Sequence, residues 1–201
     1  MRLKFVLALA FLLLAQRAST FAQAGDLAAA FTGGWKLNME QSTNPNGPDG
    51  PGAKTNTKAG GQFSNGQQGP PPGGDLGKEE LQRFMSHVAM FRKAPPLLGI
   101  QATAKDVMLV YDPDPAKGLS YKYTTDNKKS VMTTPAGPVD VKVKWNGKNL
   151  HREIESKESL KVVEDYTLSA DGKQLIVTVD TSSIMVKLPK TEIKRVYDKM
   201  Q

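Results

Sequence analysis

The sequence contains no cysteine and only two histidines among its 201 residues. Without cysteine there is no disulfide framework, no thiolate metal site and no cysteine nucleophile, so the fold must be stabilised by packing. His87 and His151 are far apart in the chain and lack the spacing of metal ligands. We therefore expect neither a disulfide-stabilised fold nor a metal site.

Motifs that carry enzymatic chemistry are also missing. The sequence has no Gly-x-Ser-x-Gly elbow and no Ser-x-x-Lys pair. Asp112 and Asp114 are close in sequence, but Pro113 and Pro115 make that segment a stiff turn, and a lone pair of acids is a weak glycosidase signal. The sequence thus predicts a protein that is not an enzyme and that uses no cofactor.

Positively charged residues are not clustered in the sequence. The formal net charge is +7, but no block of five or more Lys and Arg residues occurs. Three of the cations, Arg2, Lys4 and Arg17, lie in the first 24 residues, and the remaining chain has a formal charge of +4. A charge of this size is typical of an ordinary solvated surface, so we expect no nucleic-acid partner.

Only one long apolar run is present, from Phe5 to Ala15. It has eleven residues, whereas a membrane-spanning helix needs about 20. It follows two cations and precedes Ala22-Gln23-Ala24, which fits the small-x-small rule for signal peptidase. We predict a signal peptide over 1–24, cleaved after Ala24, an exported protein of the periplasm or exterior, and no transmembrane segment in the mature chain.

The mature chain, 25–201, is predicted to be one domain with a disordered insert at 43–74. That stretch is rich in Gly, Pro and Asn, and Phe63 is its only large apolar residue. Such a segment cannot bury enough apolar surface to offset the entropy of ordering it. A helix is predicted directly after it, over 76–93, with Asp75 as N-cap and Pro95 and Pro96 as the stop.

The predicted helix has a single apolar face, which is formed by Leu81, Phe84, Met85, Val88 and Phe91. We expect this face to pack on its own domain, with contact to a membrane as the alternative. His87 is expected at the edge of the face.

From Leu97 onward the apolar residues recur with a period of two, as in Val139, Val141 and Val143. Asn146-Gly147 and Asp171-Gly172 mark tight hairpins, because positive φ costs little there. Nine or ten such strands predict an all-β fold, an antiparallel up-and-down β-barrel of about 8–10 strands with the helix between the first and second strands. A β-sandwich or an open sheet is the alternative.

The two ends of the chain resemble the calycins. Gly33-x-Trp35, after the apolar stretch 27–31, is similar to the lipocalin signature, and 31–37 (FTGGWKL) is similar to the opening of fatty-acid-binding proteins. The closing segment 195–199 (RVYDK) resembles the last strand of that family, and 171–173 resembles its penultimate turn. As a whole, the chain is similar to exported bacterial lipocalin-like proteins.

This resemblance implies a barrel in which Trp35 and Arg195 meet where the sheet closes. It also implies that Arg195 and Tyr197 help to hold a ligand carboxylate, together with an Arg on an earlier strand. Here Glu164 or Asp165 stands where that Arg is expected.

Arg152 is in phase with Leu150 and Ile154, so it is expected to face the interior, and Glu164 could neutralise it or Arg195. We therefore name Arg195, Tyr197, Arg152 and Glu164 as candidate ligand-binding residues. The alternative is an internal polar network without a ligand, in which Arg195 stacks on Trp35. Tyr121, Tyr123, Trp145 and the methionines are predicted to be core residues.

Two functions follow. The first is a lipocalin-like binding protein for a small hydrophobic ligand, with carboxylate-bearing molecules as one class. It requires an internal cavity of about 300 Å³ or more that reaches Arg195 or Arg152. The second is a structural or interaction module of the cell envelope with a filled barrel. The sequence indicates neither the ligand nor the oligomeric state.

Overall fold

The computed structural model describes residues 25–47, 77–111, 118–188 and 190–201. The predicted signal peptide, most of the predicted insert, Asp75 and the segment with Asp112 and Asp114 lie outside these ranges. Within them, no helix is both long enough and apolar enough to cross a bilayer.

The described chain forms two helices and ten strands. Helix α1 covers 25–31 and α2 covers Lys78–Arg92. The strands are β1 (Gly33–Leu37), β2 (Leu97–Ala102), β3 (Asp106–Tyr111), β4 (Leu119–Thr124), β5 (Ser130–Thr134), β6 (Gly137–Asn146), β7 (Asn149–Ser156), β8 (Leu160–Leu168), β9 (Gln174–Ser183) and β10 (Ile193–Lys199). The predicted order, with one long helix between β1 and β2, is confirmed.

All ten strands belong to one antiparallel sheet that curves into a nearly closed barrel. Strands that follow each other in the chain pair along the sheet, apart from β4 and β5. Because β1 also pairs with β10, the two ends of the chain meet as predicted. The sheet order leaves β4 and β5 as its two edges. The predicted hairpin glycines lie in turns with positive φ, +59° at Gly147 and +68° at Gly172.

Side chains alternate along the strands between a buried and a more exposed face. On β6, Val139, Val141 and Val143 are buried, whereas the residues between them are partly exposed. The apolar core runs through the barrel and includes residues from α1, α2 and all ten strands' inner faces, with Phe31, Trp35 and Phe84 fully buried. A polar side chain that points into this buried core is therefore shielded from water.

One end of the barrel is closed by α1 and Trp35. The indole Nε1 of Trp35 donates a 3.0 Å hydrogen bond to the carbonyl oxygen of Phe31, and the ring of Phe31 lies edge-on to Trp145 with centroids 5.2 Å apart. Lys199, the direct neighbour of Trp35 on β10, places its Nζ 5.3 Å from the indole centre.

The cation at this closure differs from the sequence prediction. Trp35 is paired with Lys199. Arg195 lies four residues before Lys199 on β10, opposite Val177. The expected stacking of Arg195 on Trp35 is therefore replaced by a cation–π contact from Lys199.

Helix α2 begins at Lys78, where the backbone N–H of Gly77 donates a 3.0 Å hydrogen bond to Oε2 of Glu80. Phe84, Val88 and Phe91 are buried as predicted, but Met85 is 47% exposed. His87, expected at the edge of the face, is fully buried. The buried face of α2 therefore includes His87, whose Nε2 has a polar partner, described below.

Candidate functional site

A cavity of about 350 Å³ opens beside the C-terminal end of α2. Its rim includes exposed Pro96 and Leu119, and its interior contains aromatic and thioether side chains. The complete lining consists of Met90, Phe91, Lys93, Ala94, Pro95, Pro96, Tyr111, Leu119, Tyr121, Met132, Arg152, Glu164 and Arg195. An apolar pocket that contains a few converging charged groups is typical of a small-molecule site.

The charged part of this cavity lies on neighbouring strands. Arg152 on β7 is directly opposite Glu164 on β8, and both project inward because they share the phase of the buried apolar residues. Arg195 joins them from β10. All three side chains are at most 4% exposed. Three ionisable side chains are thus buried together inside the barrel.

Glu164 is the common partner of both guanidinium groups. Nε of Arg152 lies 3.0 Å from Oε2 of Glu164, and Nη1 of Arg195 lies 3.7 Å from Oε1. The hydroxyl of Tyr166 donates a hydrogen bond to Oε2 as well. Two guanidinium groups share one carboxylate, so the buried cluster has an excess of one positive charge.

Arg195 is held mainly by backbone oxygens. Its Nη2 donates a 2.8 Å hydrogen bond to the carbonyl oxygen of Phe91 in the last turn of α2, and its Nε donates a 3.1 Å bond to the carbonyl oxygen of Pro45. A cation at a helix C-terminus is also favoured by the helix dipole. Arg195 therefore fastens α2 and the segment after β1 to the barrel.

The start of the predicted insert is consequently ordered, which corrects the prediction for 43–47. Thr43 exchanges backbone hydrogen bonds of 2.8 and 2.9 Å with Lys194, and Oδ1 of Asn46 accepts a 3.0 Å bond from the N–H of Ala94. Composition predicted flexibility here because the segment has no large apolar side chain, but the carbonyl oxygen of Pro45 accepts a hydrogen bond from Arg195 and that of Thr43 accepts one from Lys194.

Arg152 has a different environment. Its Nη1 donates a hydrogen bond to the hydroxyl of Tyr111, and its guanidinium carbon lies 5.8 and 5.9 Å from the ring centres of Tyr111 and Tyr123. Its Nε, although close to Glu164, has no hydrogen-bond partner of good geometry among the described residues. Arg152 is thus a buried cation that is only partly hydrogen-bonded.

The burial also fixes the charge of each group. Burial raises the pKa of Tyr111 to about 12, although Arg152 opposes the shift, and it raises the pKa of Tyr123 and Tyr166 further. Burial alone would lower the pKa of Arg152, but Glu164 and the neighbouring tyrosines raise it well above its usual value. At neutral pH the tyrosines stay uncharged and Arg152 stays a cation.

The candidate residues from the sequence separate into two groups. Arg152, Glu164 and Arg195 line the cavity, whereas Tyr197 is buried in the core and is not part of the lining. Phe91, Tyr111 and three residues predicted to be core, Met90, Tyr121 and Met132, also line it. Tyr111 shares the phase of Val107 and Leu109, which would have been the signal for its inward direction.

A second buried polar cluster connects α2 to two turns of the barrel. Nε2 of His87 lies 3.2 Å from Oγ1 of Thr134, while Nδ1 of His87 faces Oε2 of Glu158 at 3.7 Å. Oε1 of Glu158 lies 3.2 Å from Nε of Arg83. This cluster, which we call the α2 latch, joins α2 to the β5–β6 and β7–β8 turns.

The hydrogens of the α2 latch can be assigned. The hydroxyl hydrogen of Thr134 is donated to the carbonyl oxygen of Gly137 at 2.7 Å, so Nε2 of His87 must be the donor toward Thr134. In the neutral ring Nδ1 is then an acceptor that faces a second acceptor, Oε2 of Glu158. Neither atom has a hydrogen-bond partner in the described part of the chain.

This assignment predicts that Glu158→Gln stabilises the protein. The Gln amide can donate to Nδ1 of His87 while its oxygen continues to accept from Arg83, so one new buried hydrogen bond adds about 1 kcal/mol to the free energy of unfolding. Urea unfolding of the wild type and of Glu158→Gln measures this difference in the free energy of unfolding. Glu158→Ala is the control and should be destabilising; a Gln variant that is as unstable as the Ala variant would contradict the assignment.

The strand order and the position of α2 between β1 and β2 define a class of fold, the antiparallel barrel of the fatty-acid-binding-protein type. Three solved structures are similar to the chain over most of its length. A Schistosoma mansoni fatty-acid-binding protein in complex with arachidonic acid matches with TM-score 0.53 and 13% identity, over 87% of this chain and 98% of that one.

The other two matches are similar in extent. A REP1-NXSQ fatty acid transporter matches with TM-score 0.50 and 12% identity, over 87% and 98% of the two chains. Apo lipid binding protein 8 of Caenorhabditis elegans matches with TM-score 0.50 and 14% identity, over 86% and 96%. No protein-family model and no curated protein sequence matches the chain significantly. The similarity to these three structures therefore concerns the fold alone.

Proposed function

We propose that the protein is an exported binding protein that holds a small hydrophobic anion inside its barrel, with Arg152 as the anchor of the negative group. One observation carries this proposal: the cavity of about 350 Å³ extends to two buried guanidinium groups that share a single carboxylate. A buried excess charge is costly, and an anionic ligand would neutralise it.

Arg152, rather than Arg195, is the proposed anchor. Arg195 already donates to two backbone oxygens and contacts Glu164, so a ligand would have to compete with α2 for it. Arg152 lines the same cavity and donates only one hydrogen bond among the described residues, from Nη1 to the hydroxyl of Tyr111. A guanidinium binds a planar carboxylate with two parallel hydrogen bonds, which makes a carboxylate a well-matched anionic group.

The cavity favours this proposal over an envelope module with a filled barrel, because a filled lumen would leave no space of this size. The similar structures named above include a fatty-acid-binding protein with a bound fatty acid, which supports the use of this fold for hydrophobic ligands. Export is proposed from the sequence of 1–24. Cleavage after Ala24 would leave α1, α2 and all ten strands in the mature chain.

Native mass spectrometry of the protein purified from its producing cells under non-denaturing conditions tests this function. We expect a mature chain that begins at Gly25 and carries one small molecule per chain. Arg152→Met should lose that molecule, because truncation of a buried charged contact typically costs 2–5 kcal/mol of binding. The same spectrum reports both cleavage and occupancy.

Lys142→Met is the matched control. Lys142 on β6 forms a cross-strand ion pair at 3.8 Å with Glu153 on β7, the strand that also carries Arg152, but on the outer face. This variant should retain the ligand. An unoccupied wild-type chain that also fails to bind added hydrophobic carboxylates would contradict the proposed function.

A further inference from the structure

The size of the cavity limits its ligand. An apolar cavity of about 150 Å³ is sufficient for one benzene molecule. By the same ratio, a cavity of about 350 Å³ accommodates roughly 14 non-hydrogen atoms. A fatty acid of 16 or more carbon atoms exceeds that number, so an extended long-chain ligand would not fit entirely within the barrel.

The wall of the cavity contains three aromatic side chains. Phe91, Tyr111 and Tyr121 contribute rings, and the rings of Tyr111 and Tyr121 meet edge to face with centroids 6.0 Å apart. Aromatic pairs gain free energy beyond that of the area they bury. A ring in the cavity would gain this additional energy at the tyrosine wall, whereas an alkyl chain would not.

Two methionines complete the wall, and one of them is fixed. The hydroxyl of Tyr123 donates a 3.0 Å hydrogen bond to Sδ of Met132, which holds that thioether in place beside the cavity. Sulfur contacts with aromatic rings are favourable, typically at ring edges. A rigid ligand also loses less conformational entropy on binding than a flexible chain with the same number of atoms.

The charged side chains that line the cavity determine which net charge of a ligand is most favourable. Two buried cations, Arg152 and Arg195, face one buried anion, Glu164. The third cation of the lining, Lys93, is exposed to solvent, so a single negative charge brings the buried cluster to neutrality. A second negative charge would again leave an uncompensated buried charge. The preferred ligand is thus a monoanion whose charged group is small enough to reach Arg152 at the cavity floor.

From these four observations we infer that the ligand class is a compact aromatic monocarboxylate of about two fused rings, rather than a long-chain fatty acid. This inference rests on the proposed function, since it names the ligand class of the same cavity. The carboxylate lies against Arg152, and the rings lie between Phe91 and the Tyr111–Tyr121 wall.

Calorimetric titration of the mature protein with three acids tests the inference. The acids are 2-naphthoate and decanoate, each with about a dozen non-hydrogen atoms, and palmitate, with about eighteen. We expect 2-naphthoate to bind at least tenfold more tightly than decanoate, and palmitate to bind no more tightly than decanoate. Uncharged 2-naphthamide should bind at least tenfold more weakly than 2-naphthoate.

Tyr121→Leu separates ring stacking from cavity size. Tyr121 lines the cavity and contacts Tyr111 and Tyr123 through its ring. The variant should reduce the preference of 2-naphthoate over decanoate about fivefold while it leaves decanoate binding unchanged.

The outcomes of the titrations distinguish the inference from the proposed function. If decanoate or palmitate binds as tightly as 2-naphthoate and the Arg152→Met variant binds neither, the aromatic class is wrong and the proposed function stands. If no acid binds wild type, both are wrong. A preference for 2-naphthoate that Tyr121→Leu does not reduce would overturn the assignment of the tyrosine wall.

Discussion

Replacing Glu164 by alanine is expected to lower the free energy of unfolding by about 3–5 kcal/mol. Glu164 is 3% exposed and is the shared carboxylate of Arg152 and Arg195. Its removal leaves two buried guanidinium groups without a counter-charge, and it also removes the acceptor of the Tyr166 hydroxyl. Guanidinium chloride unfolding, followed by tryptophan fluorescence, measures the change.

Glu153→Ala is the matched control for this experiment. Glu153 also stands between two cations, Lys142 at 3.8 Å and Lys161 at 3.0 Å, but on the outer face of the barrel. Ion pairs with such solvent access contribute about 1 kcal/mol or less. Equal losses in the two variants would show that the cavity cluster is as well hydrated as the surface and would contradict its role as a buried charge.

Trp35→Ala is expected to destabilise the protein by a similar amount, about 3–5 kcal/mol. Trp35 is fully buried at the closed end of the barrel and is the hydrogen-bond donor to Phe31. Truncation opens a large cavity under α1 and leaves the Phe31 carbonyl oxygen without that donor. Trp35→Phe keeps much of the volume and should cost less than half as much. If the two variants lose the same stability, the hydrogen bond rather than the packing closes this end.

A variant of Trp35 also distinguishes two of the cations of β10, Lys199 and Arg195. In a double-mutant cycle with Lys199→Met, Trp35→Ala should show a coupling energy of about 0.5–1 kcal/mol, because Lys199 covers the indole ring and alanine offers no aromatic face. The cycle with Arg195→Met should be additive. Coupling to Arg195 in place of Lys199 would contradict the register of β1 and β10 described above.

Much of the fold is encoded in local patterns. Alternating apolar residues predicted the antiparallel all-β fold and the buried face of β6, and the hairpin glycines marked two of the turns. These features are local, because the pleat and the turn conformation each depend on only a few residues. The phase of Arg152 and Glu164 followed from the same alternation.

Register and long-range acceptors could not be predicted in this way. Arg195 and Lys199 share a phase on β10, and only the pairing of β1 with β10 decides which one faces Trp35. The carbonyl oxygen of Pro45 binds Arg195 across 150 residues of sequence, which composition cannot indicate. The burial of His87 depends in the same way on Thr134, a residue of a distant turn.

The central claim is that the barrel interior binds one anionic ligand at Arg152. A crystal structure grown with 6-bromo-2-naphthoate tests it most directly, because anomalous scattering locates the bromine independently of the protein. The account predicts one bromine site per chain inside the cavity near Tyr121 and a carboxylate against the guanidinium group of Arg152. A cavity that has collapsed around its own side chains, with bromine only on the outer surface, would contradict it.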